Sequence, residues 1–493
     1  MLQAWVNVKA VSGLMVVGSL LLSPLIHAQT SVKGQKALPA NTMVESVLRL
    51  GGRSNGTERY RVALADDILA FEATLTAQDF DIDLALYNAH GEQIALADSY
   101  RASETLQVIR LDVPELTGGT YSLEVYYPFD DAPVGSDGNL VTTIPFTLEW
   151  QQATLGEPDR LPANVPAQGH LKRQAGMIAY YRVEVPAAAE ALRIDVVDTF
   201  SDLDLFVFAD QPSADIERSQ WHADTMRAQE KLIITQDSSP PLRAGTYYVA
   251  VADLLERQRD IEFGLWLSWD AEPPQALDPQ ISLPVTEPGL PTSLLATVEV
   301  RAGYSVGSGT LVSPDGYVLT NHHVIEEYME EGGDILLGMS LDHRLPTREL
   351  FYADLVDAAP ERDMALLKVR ATLYSEPLAR YLPLPFIPIG DDSALRIGDD
   401  LITIGYPWVG GRWARGTVSF TRGYVSGFEA DEYGAVIKTD AEFSAGNSGG
   451  AALNTDFELV GIPTETVGTD SGKLGYVYPI SALPASWRAL IAQ

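Results

Sequence analysis

One pattern of strand-like runs occurs twice within the first 270 residues. The sequence RYRV at 59–62 returns as YYRV at 180–183, and FDIDL at 80–84 returns as SDLDL at 201–205, both displaced by 121 residues. A third pair, GGTYSLEV at 118–125 and AGTYYVAV at 244–251, keeps the same order. Landmarks that recur in one order predict an internal duplication. The chain is therefore expected to build one kind of unit twice.

Each copy has the pattern of short β-strands. Runs of alternating apolar and polar residues are separated by turn-forming residues, such as NAHG at 88–91 and LTGG at 116–119. A copy of about 120 residues is long enough to bury a core of its own. We predict two tandem β-sandwich modules, over residues 29–152 and 153–270, in an all-β chain.

The Asp-x-Asp-Leu and Gly-Thr-Tyr strands of both copies resemble those of the bacterial pre-peptidase C-terminal domain, which accompanies secreted peptidases. The resemblance covers roughly residues 36–270 and implies a β-sandwich for each copy. The acidic pairs in these strands either ligate calcium, which prefers clustered carboxylates, or face solvent on one side of a strand. The absence of a third ligand at a calcium-loop spacing favours solvent-facing side chains. The pairs are Asp81 with Asp83 and Asp202 with Asp204.

Residues 1–28 have the pattern of a secretory signal peptide. A basic start precedes an uncharged apolar run over 10–26, and the small residue Ala28 stands at the expected cut. A membrane anchor is the alternative, but a run of about 17 residues broken by Pro24 is short for a span. We predict export to a periplasmic or secreted location, with no membrane span in the mature protein.

Prolines mark a boundary after the second copy. Their density over residues 271–294 predicts a stiff, extended linker, because proline is poorly tolerated inside helices and central strands. Residues 295–493 are then a separate domain. The prolines are Pro273, Pro274, Pro279, Pro284, Pro288 and Pro291.

Composition excludes several classes of function. The chain has 34 basic and 67 acidic residues, a formal net charge of −33, and no cysteine. Because a polyanion repels phosphate backbones, no nucleic acid partner is expected. Disulfides, thiolate zinc sites, iron–sulfur clusters and cysteine nucleophiles are excluded. We predict no cofactor and no metal.

Three segments after residue 295 carry residues suited to nucleophilic catalysis. A strand–turn–strand ends in a histidine pair at 322–323, Asp363 precedes an apolar strand, and Ser448 lies between glycines. A serine hydroxyl needs a base to take its proton, and a histidine base needs an orienting acid. Each signal alone also fits a structural role. Together they keep the order His, Asp, Ser of the chymotrypsin-like double β-barrel, with separations of 40 and 85 residues.

Residues 295–493 resemble the trypsin-like serine peptidases, and most closely the high-temperature-requirement (HtrA/Deg) branch. The resemblance implies a double β-barrel in which His323 is the general base, Asp363 the orienting acid and Ser448 the nucleophile. It also implies an oxyanion hole made of the backbone N–H groups of Gly446 and Ser448. Asp354 and Asp357 are weaker candidates for the acid, because they precede the strand boundary. The matching motifs are GSG at 307–309, TNHHV at 320–324, DMALLK at 363–368, IGD at 389–391 and GNSGG at 446–450.

Three features qualify this resemblance. Asn447 cannot form the ion pair that a carboxylate there makes with a freed N-terminus, so activation by simple N-terminal cleavage is not expected. No PDZ domain is expected after the peptidase domain. Glu442 stands where trypsin has an acid at the base of its primary pocket. It either selects Arg or Lys beside the scissile bond or turns to solvent.

We therefore predict an exported serine endopeptidase that acts on protein or peptide substrates. The sequence does not predict its oligomeric state. Two rival interpretations stay open: a non-catalytic scaffold built on the barrel, and an adhesin whose modules bind glycans through exposed aromatic side chains. Core packing explains those aromatic side chains equally well. They are Tyr126, Tyr127, Trp266 and Trp269.

Overall fold

The computed structural model describes residues 35–50, 56–77, 80–135, 138–225, 228–255, 257, 259–277, 281–283, 287–303, 305–407, 416–431, 434–442, 444–469 and 472–492. The signal peptide predicted for residues 1–28 lies outside them. The described chain has two compact units. One contains residues of 35–63, 75–104 and 119–148, and the other contains 64–74, 105–118 and everything described from 149 onward.

The described residues before 155 form two sheets. A five-stranded sheet has the order β1-β3-β8-β5-β6, and a four-stranded sheet has the order β2-β9-β4-β7. The strands are β1 (Lys36–Ala37), β2 (Val44–Arg49), β3 (Thr57–Leu64), β4 (Ile68–Ala77), β5 (Asp83–Tyr87), β6 (Gln93–Ala97), β7 (Ser103–Ile109), β8 (Gly119–Tyr126) and β9 (Thr143–Thr154).

The described residues from 159 to 268 repeat this arrangement strand for strand. Their sheets have the orders β10-β12-β17-β14-β15 and β11-β18-β13-β16, which become the first pair when nine is subtracted from each number. This agreement supports the duplication expected from the sequence. The strands are β10 (Asp159–Arg160), β11 (Ala167–Leu171), β12 (Ile178–Val185), β13 (Ala191–Val197), β14 (Asp204–Ala209), β15 (Trp221–Ala223), β16 (Lys231–Thr235), β17 (Gly245–Ala252) and β18 (Ile261–Ser268).

Alternating side chains explain why these segments are strands. In β9, Ile144, Phe146, Leu148 and Trp150 are buried, while the residues between them are exposed or half-buried. Successive side chains on a strand point to opposite faces, so this alternation puts one face in a core. In the second copy, residues of β13 and β17 belong to one hydrophobic cluster, so a single core joins both of its sheets.

The C-terminal region forms two closed barrels of six strands each. Their orders are β19-β20-β21-β24-β23-β22 and β25-β26-β27-β30-β29-β28. The prediction of an all-β fold that ends in a chymotrypsin-like double β-barrel is confirmed. The strands are β19 (Thr297–Ala302), β20 (Ser305–Leu311), β21 (Tyr317–Thr320), β22 (Ile335–Met339), β23 (Arg348–Ala359), β24 (Met364–Thr372), β25 (Asp400–Gly405), β26 (Ser419–Asp431), β27 (Gly434–Thr439), β28 (Ala451–Leu453), β29 (Leu459–Thr469) and β30 (Gly472–Pro479).

Three α-helices accompany the barrels in the described chain: α1 (Leu290–Ala296), α2 (His322–Glu331) and α3 (Ala485–Ile491). The prediction of an extended linker over residues 271–294 is wrong at the end of that range, because α1 begins at Leu290. Pro291 occupies the start of this helix, where a missing N–H costs nothing and the fixed φ suits the helix. No helix in the described chain is long and apolar enough to span a membrane.

Candidate active site

The predicted base, His323, stands in the first turn of α2. Strand β21 ends at Thr320, and Asn321 precedes the helix with the extended backbone angles φ −80° and ψ 151°. The Asn321 side chain makes no capping bond to the helix. Its Nδ2 donates instead to the backbone carbonyl of Asp363 at 2.8 Å. The start of α2 is therefore tied to the segment that carries the predicted acid.

The predicted acid, Asp363, lies between a 3-10 turn (Pro360–Arg362) and β24 and is 7% exposed. Its φ of 47° and ψ of 46° are left-handed, which is uncommon for a residue with a side chain. Oδ1 accepts the backbone N–H of His323 at 3.0 Å, and Oδ2 lies 2.9 Å from Nδ1 of the imidazole. Because an ionised carboxylate only accepts, Nδ1 carries the proton, and Nε2 is left with the lone pair of a base.

The predicted nucleophile, Ser448, lies in a glycine-rich turn before β28. Gly446 and Gly449 have φ values of 95° and 84°, which glycine adopts without the steric cost of a Cβ. A Cβ on Gly449 would lie 2.1 Å from the carbonyl oxygen of Ser308. The Ser448 carbonyl accepts the N–H of Ser308 at 2.8 Å. The turn is therefore held against β20 of the first barrel.

Thr464, on β29, contacts both the acid and the nucleophile. Its Oγ1 donates to Oδ2 of Asp363 at 3.1 Å, and its carbonyl accepts from Oγ of Ser448 at 2.6 Å. Among the described atoms, Ser448 Oγ donates here and makes no hydrogen bond to His323. Sequence reasoning missed Thr464. Its only signal was a hydroxyl residue shortly after the apolar run at 459–462, and many strands share that feature.

The predicted oxyanion hole uses the N–H groups of Gly446 and Ser448. The N–H groups of residues 447, 449 and 450 donate to backbone carbonyls, whereas those of Gly446 and Ser448 have no acceptor among the residues that the structure describes. The carbonyl of Gly446 accepts from Oγ of Ser308 at 2.7 Å, which fixes the orientation of this peptide. This pattern is compatible with the predicted oxyanion hole.

Asn447 is buried beneath the same turn, at 6% exposure. It packs against Gly405 of β25, where a Cβ would lie 2.6 Å from its Oδ1. That Oδ1 has no hydrogen-bond partner among the described atoms. The structure does not test the expectation that activation by N-terminal cleavage is absent, and that expectation stays a prediction.

Glu442 lies on the segment that leads to Ser448, and its side chain is exposed. Its backbone carbonyl accepts from Oγ1 of Thr421 at 2.8 Å, which holds the main chain in place. The carboxylate forms no ion pair within the described chain. Both interpretations of Glu442, a specificity residue and a solvent-facing side chain, are compatible with this position.

The two alternative acids are engaged elsewhere. Asp354 forms an ion pair with Arg370 at 2.9 Å, and Oδ2 of Asp357 accepts from Nε1 of Trp487 at 2.8 Å. Among these three carboxylates, Asp363 is the one hydrogen-bonded to His323.

The sequence analysis expected the acidic pairs of the modules to face solvent. This expectation is wrong for three of the four carboxylates, and the fourth, Asp81, is half-buried. Asp83, Asp202 and Asp204 are 3%, 6% and 3% exposed. Burial, and next the carboxylate of Asp81, raises the pKa of Asp83 to about 7. Among the described residues, no three His, Cys, Asp or Glu side chains are grouped so as to hold a metal.

The aromatic side chains considered for glycan binding have mixed environments. Trp266 is 6% exposed, and Trp269 packs against the core of the second copy. Tyr126 is half-buried and hydrogen-bonds to Asp83. Tyr127 stacks edge-on against Phe129 with ring centroids 5.2 Å apart. Core packing accounts for both tryptophans.

The first barrel carries a histidine–aspartate pair and the second a glycine-flanked serine, which is the arrangement found in trypsin-like serine peptidases. Comparison with known proteins agrees: residues 307–462 match the family model described as "Trypsin-like peptidase domain". This match supports the trypsin-like peptidase domain that the sequence predicts in this region of the chain.

Two relatives are described as "Probable periplasmic serine endoprotease DegP-like". The one from Marinomonas sp. (strain MWYL1) is 34% identical over 180 residues, which are 36% of this chain and 33% of that protein. The one from Pseudomonas putida (strain GB-1) is 33% identical over 184 residues, with the same two shares. The chain thus spans about one third of the length of these curated relatives.

A solved structure titled "HtrA-type protease AlgW with tripeptide" aligns with 41% of this chain and 62% of its own, at 28% identity and a TM-score of 0.32. The likeness of residues 307–462 to peptidases therefore rests on the family model and the two relatives, and not on this structural alignment.

Proposed function

We propose that the chain is an exported serine endopeptidase that cleaves protein substrates through an acyl-enzyme on Ser448. The observation that best supports it is the carboxylate of Asp363, which accepts from both His323 and Thr464. Thr464 in turn accepts from the Ser448 hydroxyl. The residues proposed as base, acid and nucleophile therefore belong to one connected hydrogen-bond network.

In the proposed reaction, the Ser448 hydroxyl first turns from the Thr464 carbonyl toward Nε2 of His323. Oγ then attacks the substrate carbonyl carbon while Nε2 takes its proton, and Asp363 stabilises the imidazolium. The oxyanion of the tetrahedral intermediate accepts from the N–H groups of Gly446 and Ser448. His323 returns the proton to the leaving amine. Water, activated by His323, then attacks the ester on Ser448 in the same way, which releases the acid product and restores the Ser448 hydroxyl.

The chemistry needs no cofactor, and the proposed partners are proteins or peptides rather than nucleic acid. The signal-peptide pattern of residues 1–28 supports export, and the relatives described as periplasmic support the same compartment. We assign residues 29–152 and 153–270 to two β-sandwich modules of the pre-peptidase C-terminal type. Their shared strand order supports that assignment.

The proposal is tested on the chain from residue 29 and its Ser448→Ala variant. A fluorophosphonate probe should label the first and not the second. Cleavage of an unfolded protein should fall by at least about 1,000-fold, because the nucleophile carries most of the triad's contribution.

Ser426→Ala is the matched control, because Ser426 is exposed on β26. It should label and cleave at the parent rate. Labelling and cleavage that persist in Ser448→Ala would refute the mechanism. A parent chain that does neither would favour the binding scaffold.

A further inference from the structure

The second module and the first barrel are joined at the start of β16. Both sides belong to the same compact unit. The hydroxyl of Tyr374 donates to Oε1 of Gln229 at 2.9 Å, and Nζ of Lys231 donates to the hydroxyl of Tyr352 at 2.5 Å. The Lys231 ammonium also lies 5.1 Å from the centroid of the Tyr352 ring. This junction has specific, mostly polar contacts.

A cavity of about 170 Å³ lies at this junction. Residues 198–200 and 228–229 of the module form one side, and residues 347–349 of the barrel form the other. An apolar cavity of about 150 Å³ is known to accept benzene, so this volume admits a compound of roughly six to eight non-hydrogen atoms.

Arg348 brings positive charge to the wall of the cavity. Its Nε donates a long bond of 3.4 Å to the Tyr374 hydroxyl, and its Cζ lies 5.9 Å from the centroid of that ring. Its neighbour Glu349 also lines the cavity, but its carboxylate lies 3.5 Å from Nε of Arg301 and accepts the N–H of Ala228 at 3.4 Å. No carboxylate in the described chain forms an ion pair with Arg348. Beyond its contacts with Tyr374, the guanidinium can therefore bind a carboxylate ligand, to which arginine is well suited.

Asp198 lines the same cavity from the module and is exposed at its mouth. It also forms no ion pair among the described residues. A simple anion would approach against the field of a chain with a net charge of −33. A zwitterion avoids that penalty, because its ammonium can meet Asp198 while its carboxylate meets Arg348.

We propose that the cavity binds a small zwitterion, a free α-amino acid with a short side chain. The ligand's two charges follow from Arg348 and Asp198, which form no ion pair within the described part of the chain, and its size follows from the cavity volume. Because both parts of the molecule supply the walls, the bound ligand stabilises their junction. The site is independent of the proposed peptidase activity.

Isothermal titration of the Ser448→Ala chain from residue 29 tests the proposal without any turnover. L-Alanine should bind saturably. Alaninamide, which lacks the carboxylate, and N-acetylalanine, which lacks the ammonium, should bind at least tenfold more weakly. At 100-fold excess over its dissociation constant, alanine should raise the unfolding temperature by about 3 °C or more.

Arg348→Gln and Asp198→Asn should each weaken alanine binding at least tenfold. Arg344→Gln, which changes an exposed arginine outside the cavity, should leave it unchanged. Because Asp198 is exposed, its variant keeps the test decisive even if Arg348→Gln does not fold. Absence of saturable alanine binding, or binding unchanged in Asp198→Asn, overturns the proposal. Equal binding of alaninamide overturns the role of Arg348.

Discussion

At the scale of the residue, Thr464 offers the sharpest test of the network around Asp363. Thr464→Val keeps the backbone carbonyl near Ser448 and removes the Oγ1 donor to the carboxylate, which is 3.1 Å away. A hydrogen bond to a charged group contributes about 1.5–3 kcal/mol. We therefore expect kcat/KM to fall about 10- to 100-fold on a peptide reporter, with Thr464→Ser within about threefold of the parent. Full activity in Thr464→Val would show that the contact is incidental.

Peptide reporters distinguish the two interpretations of Glu442, a specificity residue and a solvent-facing side chain. If its carboxylate selects basic residues, peptides ending in Arg should be cleaved faster than those ending in Val or Phe. Glu442→Gln should then lower kcat/KM about tenfold or more on the Arg reporter and leave it unchanged on the Val reporter, because the change removes only the charge. Equal or faster cleavage after Val by the parent chain would identify Glu442 as a solvent-facing side chain.

The sequence identified the proposed triad because its residue types, order and glycine neighbours are visible in the chain itself. It did not identify Thr464 or Asn321, which contact Asp363 across 101 and 42 residues. A hydroxyl or amide has many structural uses, and only the fold brings Thr464 to the carboxylate of Asp363 and Asn321 to its backbone carbonyl. The burial of Asp83 was missed because β5 is buried on both faces, which the alternation of its residues does not reveal.

At the scale of the element, alternation predicted strands well where one face is buried, as in β9. In β19 the sequence TVEVRA also alternates, but all six residues are buried, so alternation there does not mark an exposed face. Helix α2 was not predicted at all. Its buried positions, Val324 and Ile325, are adjacent and few, and a ten-residue helix is marginal without tertiary packing. Its contacts with β19 and β20 supply that packing.

At the scale of the whole molecule, the excess of acidic residues affects the free energy of unfolding through individual buried carboxyl groups such as Asp83. Asp83 has a folded-state pKa of about 7 against an ordinary value of 3.8, because burial and the nearby carboxylate of Asp81 oppose its charge. Between these values the folded chain holds a proton that the unfolded chain releases. Its contribution is therefore fully present below about pH 4 and is lost as the pH rises toward 7. Asp98, Glu104 and the Tyr126 hydroxyl also face this carboxyl.

We therefore expect unfolding of the first module to require less urea at pH 7.5 than at pH 5.5. Asp83→Asn keeps an acceptor for the Tyr126 hydroxyl and removes the charge, so it should reduce this difference and raise the urea midpoint at pH 7.5. Asp130→Asn, at an exposed position, should leave both midpoints within error of the parent. Histidines titrate in the same range in every variant, so the comparison between variants isolates Asp83. Identical pH dependence in the parent and Asp83→Asn would mean that this carboxyl remains ionised in the folded chain.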